Sequence, residues 1–72
     1  MPQINEDTVD SVFSYHQPKG DQPHRYEAMR DAARKFAWEI IGLCPESPER
    51  TLALRDVQRA VMMANAAIAL NE

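Results

Sequence analysis

The ten residues "VMMANAAIAL", 61–70, are apolar on nearly every side of a helix, with Asn65 the one polar interruption. That much apolar surface is more than a single neighbouring helix can cover. The chain has only 72 residues, enough for one small domain, and a domain of this size buries only ~60% of its unfolded surface. Small chains make up such a deficit with disulfides, a metal or self-association. A single cysteine, Cys44, excludes an intrachain disulfide and fits a reducing compartment. Cys44, His16 and His24 show no C-x-x-C or H-x-x-x-H spacing, so no structural zinc is expected. Self-association is the remedy left, and residues 61–70 are where it is expected.

Two segments have the length and periodicity of helices. In the first, Tyr26, Met29, Ala33, Phe36, Ile40 and Leu43 recur at spacings of three and four, and Ala37, Ile41 and Cys44 widen the stripe. Asp21 is a candidate N-cap, Pro23 suits a first turn, and Gly42 and Pro45 help end the helix. In the second, Ser47 is the candidate N-cap, followed by Pro48 and Glu49. Leu54, Val57, Val61, Ala64 and Ile68 are spaced 3-4-3-4, a seam that can face another helix. Ala53, Ala60 and Ala67 form a second row of small residues, and Leu52, Met63, Ala66 and Leu70 extend the apolar surface. The fragment "CPESP" is a short connection, which makes neighbouring helices antiparallel. The expected fold is therefore all-α: an N-terminal arm over residues 1–22 and a helical hairpin over 23–72, with helices at about 22–43 and 48–70. The arm contains "SVFSYHQPKGDQP", whose prolines and glycine do not continue a helix. "NEDTVDSV" before it either forms a helical turn or stays loose. With few apolar anchors, the arm is expected to order at least partly on ligand binding.

The net charge is −3, against the broad basic face that binding of nucleic-acid polymers needs. A small anionic ligand needs only two or three placed cations and is not excluded. No apolar run reaches the ~20 residues of a membrane span. The start, "MPQINEDTVD", lacks the basic and apolar regions of a signal peptide. A soluble cytoplasmic protein is expected.

Several residues could carry chemistry, each with a plainer alternative. Tyr15, near Lys19 and Arg25, has the composition of a site where a base stacks and a phosphate is held; it could instead anchor the arm on the hairpin. Arg25 and Arg30 fall in the first turns of a helix, where backbone N–H groups favour anions; the alternative is a solvated face with Glu27 and Asp31 as partners. His16 and His24 suggest acid–base work, but no nucleophile with a third partner accompanies them, so no enzyme is expected. Cys44 reads as a small buried residue, and Trp38 as an interface residue ahead of a ligand platform. Asn65 needs hydrogen-bond partners in its apolar surroundings. It either fixes register and oligomeric state, as buried asparagines do in coiled coils, or holds a ligand. Asn71 and Glu72 either fray or cap the last carbonyls.

The stretches "FSYHQPKGDQPHRYEAMRDAARKFA", "CPESPERTLAL" and "AVMMANAAIALNE" resemble the hairpin-domain cyclic-nucleotide sponges of phages, which counter CBASS and Thoeris immunity. The resemblance covers about residues 13–72, with "YHxPxGDQxxRYExxR" and "MxANAAIA" its most specific parts. It implies a non-enzymatic protein without cofactors that binds cyclic dinucleotides, and in some members cyclic trinucleotides, and so keeps the defence effector off. It also implies a homo-hexamer of interlocked dimers, with pockets between protomers in which an aromatic stacks on bases and cations hold phosphates. Carried onto this chain, the stacking aromatic is Tyr15 and the phosphate-facing cation is Arg30. Lys19 and Arg25 are alternates, and Asn65 or the end of the chain completes the pocket. The chain departs from the family pattern at Met63, where an aromatic is expected, and at Leu70, where a basic residue is expected. A pocket that used that cation is in question here, so dinucleotides are the firmer expectation. The competing reading is a helical interaction module that docks a host protein through its apolar second helix. A DNA-binding dimer is disfavoured by the acidic balance.

Overall fold

In a computed structural model, which describes residues 4–72, the described residues form three helices and no strand. Residues 1–3 of the arm lie outside the described residues. α1 is a single turn, Val9–Val12; α2 spans Gln22–Leu43 and α3 spans Pro48–Asn71. α1 is set up by a reciprocal turn. Asn5 Oδ1 accepts from the Asp7 and Thr8 amides at 2.9 and 3.2 Å, and Thr8 Oγ1 accepts from the Asn5 amide at 3.0 Å. The chain then runs without regular structure to Gly20, whose φ of +51° leads into α2 in a conformation that L side chains rarely adopt.

The two long helices start differently. Ser47 caps α3 as its sequence suggests: the backbone is extended and Oγ accepts from the Arg50 amide at 3.1 Å. Asp21 stands at the N-cap position of α2 but makes no capping hydrogen bond. Its carboxylate turns instead to Arg25 Nε at 3.3 Å, because a guanidinium one turn on competes for it. α2 runs through Gly42 and stops at Leu43, with Cys44 extended at ψ 140°, as a residue before proline must be. Arg50 Nη1 donates to the Cys44 carbonyl at 3.3 Å and braces the link. Cys44 itself is exposed. The expectation of a buried cysteine fails because the thiol lies beyond the last residue that α3 covers.

The start of α2 meets the end of α3 through Gln22 and Glu72, so the helices are antiparallel. The molecule measures 45 × 27 × 14 Å. Its thinnest dimension is that of one helix with side chains, so the hairpin is a single layer with no second layer to cover it. The seam of α3 (Leu54, Val57, Val61, Ala64 and Ile68) is half-buried along its length against α2. Ile40, 8% exposed, is the one buried apolar residue among the described residues. The apolar stripe expected on α2 divides: Tyr26, Ala33, Ala37 and Ile40 turn toward α3, whereas Met29, Phe36 and Leu43 stay exposed. One helix presents too narrow a face to cover a stripe that wide. A groove of about 530 Å³ follows on one flank of the seam, where Met29, Phe36 and Ile40 face the small Ala53 and Ala60.

Candidate ligand cleft and anion cradle

The other flank carries two cations over an apolar floor. Arg30 and Arg34 lie along it opposite Gln58 and Met62, and toward the end of α3 it opens into a cleft of about 330 Å³. Tyr26 and Arg30, one turn apart on α2, form one wall; Asn65, Ala66 and Ala69 form the other, and His16 enters from the arm. The alanines keep the space open. His16 Nε2 donates to the Ser11 carbonyl within the arm.

Two unmet demands stand out in the cleft. Asn65 Oδ1 is buried without a hydrogen-bond partner among the described residues, a situation that costs about 1–3 kcal/mol. Arg30 makes no ion pair among the described residues. The neighbour expected to neutralise it, Asp31, pairs with Arg34 at 3.6 Å instead. An unpaired guanidinium in the cleft can receive an anion, and the Asn65 acceptor, closed off from solvent, can take a donor only where the cleft wall opens to it. That combination is what a phosphate joined to a base offers.

Lys19 and Arg25 form a separate group. Arg25 Nη1 donates to Glu72 Oε2 at 2.9 Å and Nη2 to Oε1. Gln22 Nε2 donates to the same Oε1 at 3.2 Å, and Lys19 Nζ to the Glu72 carbonyl at 3.2 Å. Gln22, only 5% exposed, is oriented by the Lys19 amide, which donates to its Oε1 at 2.9 Å. The hydrogen bonds from Arg25 and then Gln22 hold the Glu72 carboxyl below its ordinary pKa against some desolvation. The bond to Glu72 raises Arg25.

Of the five residues expected at the site, Arg30 and Asn65 thus come together, and Lys19 and Arg25 come together around Glu72. Tyr15, 86% exposed, joins neither. Two contributors were not singled out from the sequence: Tyr26 and Gln22. Tyr26 read as core because it falls on the apolar stripe, although its one-turn spacing from Arg30 was the available signal. Of the two end residues expected to fray or cap, Asn71 Nδ2 donates to the Ala67 carbonyl at 2.9 Å, and Glu72 stands at the C-cap position with its carboxylate in the cradle. Among the described residues no three metal-ligating side chains converge and no helix is long and apolar enough to cross a membrane.

Searches of curated proteins and of solved structures gave no match. A family model described as "Acb2/Tad1, hairpin domain" matches residues 5–69, a span that takes in α1, α2, all but the last two residues of α3, the cleft and all of the cradle except Glu72. The family points to a phage anti-defence protein that binds cyclic nucleotides, in keeping with a cleft that offers an unpaired arginine beside an unsatisfied amide. The chain therefore belongs to the Acb2/Tad1 hairpin-domain family of anti-CBASS and anti-Thoeris sponges.

Proposed function

We propose that this protein sequesters cyclic oligonucleotide second messengers, cyclic dinucleotides foremost, without cleaving them, and so silences CBASS-type signalling in the cytoplasm of an infected bacterium. The observation that carries the reading is the pairing of Arg30, which has no carboxylate partner, with the unsatisfied Asn65 Oδ1 in one cleft. Arg30 takes a phosphate, Asn65 Oδ1 accepts from a base N–H once ligand entry uncovers it, and Tyr26 or His16 lies against the base. Tyr15, exposed on the arm, stacks on a base held by a neighbouring protomer. The apolar groove between Met29, Phe36 and Ala60 is the surface through which copies associate into a homo-oligomer, the hexamer expected from the sequence resemblance. A stacked base contributes ~1–3 kcal/mol and a hydrogen bond to a charged group ~1.5–3 kcal/mol. Two of each, less the cost of immobilising the ligand, reach the nanomolar range of about −12 kcal/mol.

The test is calorimetric titration of the full chain, sized by light scattering, with a panel of cyclic di- and trinucleotides. Tight binding with intact nucleotide recovered after denaturation supports the sponge. Arg30→Ala and Tyr15→Ala should abolish that binding while the oligomer persists. No heat from a correctly assembled sample overturns the reading. The same apolar groove favours one alternative, a module that docks a host protein; there Arg30→Ala changes nothing and Phe36→Asp abolishes function.

A further inference from the structure

The Lys19–Gln22–Arg25 cradle has the features of a built anion site. Arg25 and the Gln22 amide converge on the Glu72 carboxylate, Lys19 takes the adjoining backbone carbonyl, and the amide is nine-tenths buried and fixed in orientation by a backbone N–H. Gln22 and Arg25 lie in the first turn of a 22-residue helix, with Lys19 just before it, and the N-terminal dipole adds to the attraction for negative charge. Its occupant comes from the chain itself. Glu72 follows directly on the last turn of α3, and its side chain is 43% exposed, facing an Arg25 side chain 38% exposed. Solvent, and any dissolved anion, therefore reaches both partners. A guanidinium that grips a carboxylate with two parallel N–H bonds presents the same fork to a phosphate.

We propose that Glu72 is a tethered stand-in for a phosphate: its carboxylate fills a second phosphate site made by Gln22 and Arg25, with Lys19 at its edge on the Glu72 carbonyl, and a phosphodiester or pyrophosphate gains that site only by displacing it. Displacement frees the end of α3 from the arm, so occupancy of the cradle is coupled to how the arm lies over the neighbouring cleft. A tethered competitor acts at an effective concentration of about millimolar or above. A cradle closed about nine-tenths of the time weakens a free anion about tenfold. As a second phosphate site for the ligand, the cradle rests on the sponge reading; as a latched anion site, it does not.

The test uses inorganic pyrophosphate, at constant ionic strength, with the Arg25 Nε–Hε resonance as readout. Glu72→Gln removes the charge at nearly constant size and should tighten pyrophosphate binding about tenfold or more, with the shifts centred on residues 19–25. Glu46→Gln makes the same change in net charge at the far end of the hairpin and should leave affinity unchanged. Arg25→Gln combined with Glu72→Gln should lose the gain. No gain in Glu72→Gln, an equal gain in Glu46→Gln, or loss of helicity in Glu72→Gln each overturns the proposal; the last would make Glu72 a purely structural clamp. A parallel titration with cyclic dinucleotides separates the two readings. A pyrophosphate gain without nucleotide binding removes the sponge and keeps the latch. Nucleotide binding without a pyrophosphate gain does the reverse.

Discussion

Arg25 and Glu72, 47 positions apart in sequence, are joined by a two-pronged ion pair, with Nη1 on Oε2 at 2.9 Å and Nη2 on Oε1. This contact ties the arm and the start of α2 to the end of α3. Its two partners are charged at neutral pH, and only the carboxylate titrates in an accessible range.

The sign of its pH dependence follows from the lowered pKa of Glu72. A carboxyl held lower in the folded state than in the unfolded one stabilises the fold above its unfolded value and loses that contribution as pH falls through the folded value. In phosphate-free buffer, the melting temperature of the native chain should exceed that of Glu72→Gln by a constant margin from neutral pH down to about 5. The margin should shrink below about 4, the ordinary glutamate range. Thermal melts followed by circular dichroism across this range check it, and a margin that widened on acidification would contradict the ion pair.

The two N-caps should respond unequally to substitution. Ser47→Ala removes a formed cap and should cost about 1 kcal/mol. Asp21→Ala should cost less, because Asp21 makes no cap and only an exposed i,i+4 pair with Arg25. Urea unfolding of both variants at equal protein concentration checks the order.

Arg30→Gln and Asn65→Ala should each leave helicity unchanged and weaken cyclic-dinucleotide binding. The loss of a charge-assisted hydrogen bond of ~1.5–3 kcal/mol predicts about a 10- to 150-fold effect at Arg30. The effect at Asn65 should be smaller. Removing its unsatisfied Oδ1 should also stabilise the free protein, the opposite of the destabilisation expected if the residue served only to fix helix register. Paired titrations and thermal melts distinguish these outcomes.

Phe36→Asp places a carboxylate in the apolar groove opposite Ala53 and Ala60. It should shift the protein to smaller species in light scattering, because a desolvated charge has no partner there. Arg34→Ala, on the opposite flank, should leave the oligomer unchanged.

Amides of residues 12–20 should exchange faster in the free protein than in the nucleotide complex. The arm is held by a few polar contacts, such as His16 to the Ser11 carbonyl and Lys19 to the Glu72 carbonyl, with Phe13 and Tyr15 exposed. Equal protection with and without ligand would contradict ligand-coupled ordering.

The sequence by itself determined what is local. Helical periodicity, the Ser47-Pro48-Glu49 start, the extended residue before Pro45 and the short connection dictate two helices folded back on each other. The 3-4-3-4 seam of α3 dictates which face turns inward. These features depend on spacings within one or two turns, and the family motifs lie in the same segments. Only the tertiary structure decided which polar groups meet. The cleft joins residues of the arm, α2 and α3, and no spacing along the chain reveals that Arg30 faces Asn65 while Arg25 is neutralised by Glu72. Nor could periodicity tell that Met29 and Phe36 stay uncovered, or that Cys44 is exposed. An apolar stripe records what a helix can bury, and the width of the one helix packed against it sets how much of the stripe is covered.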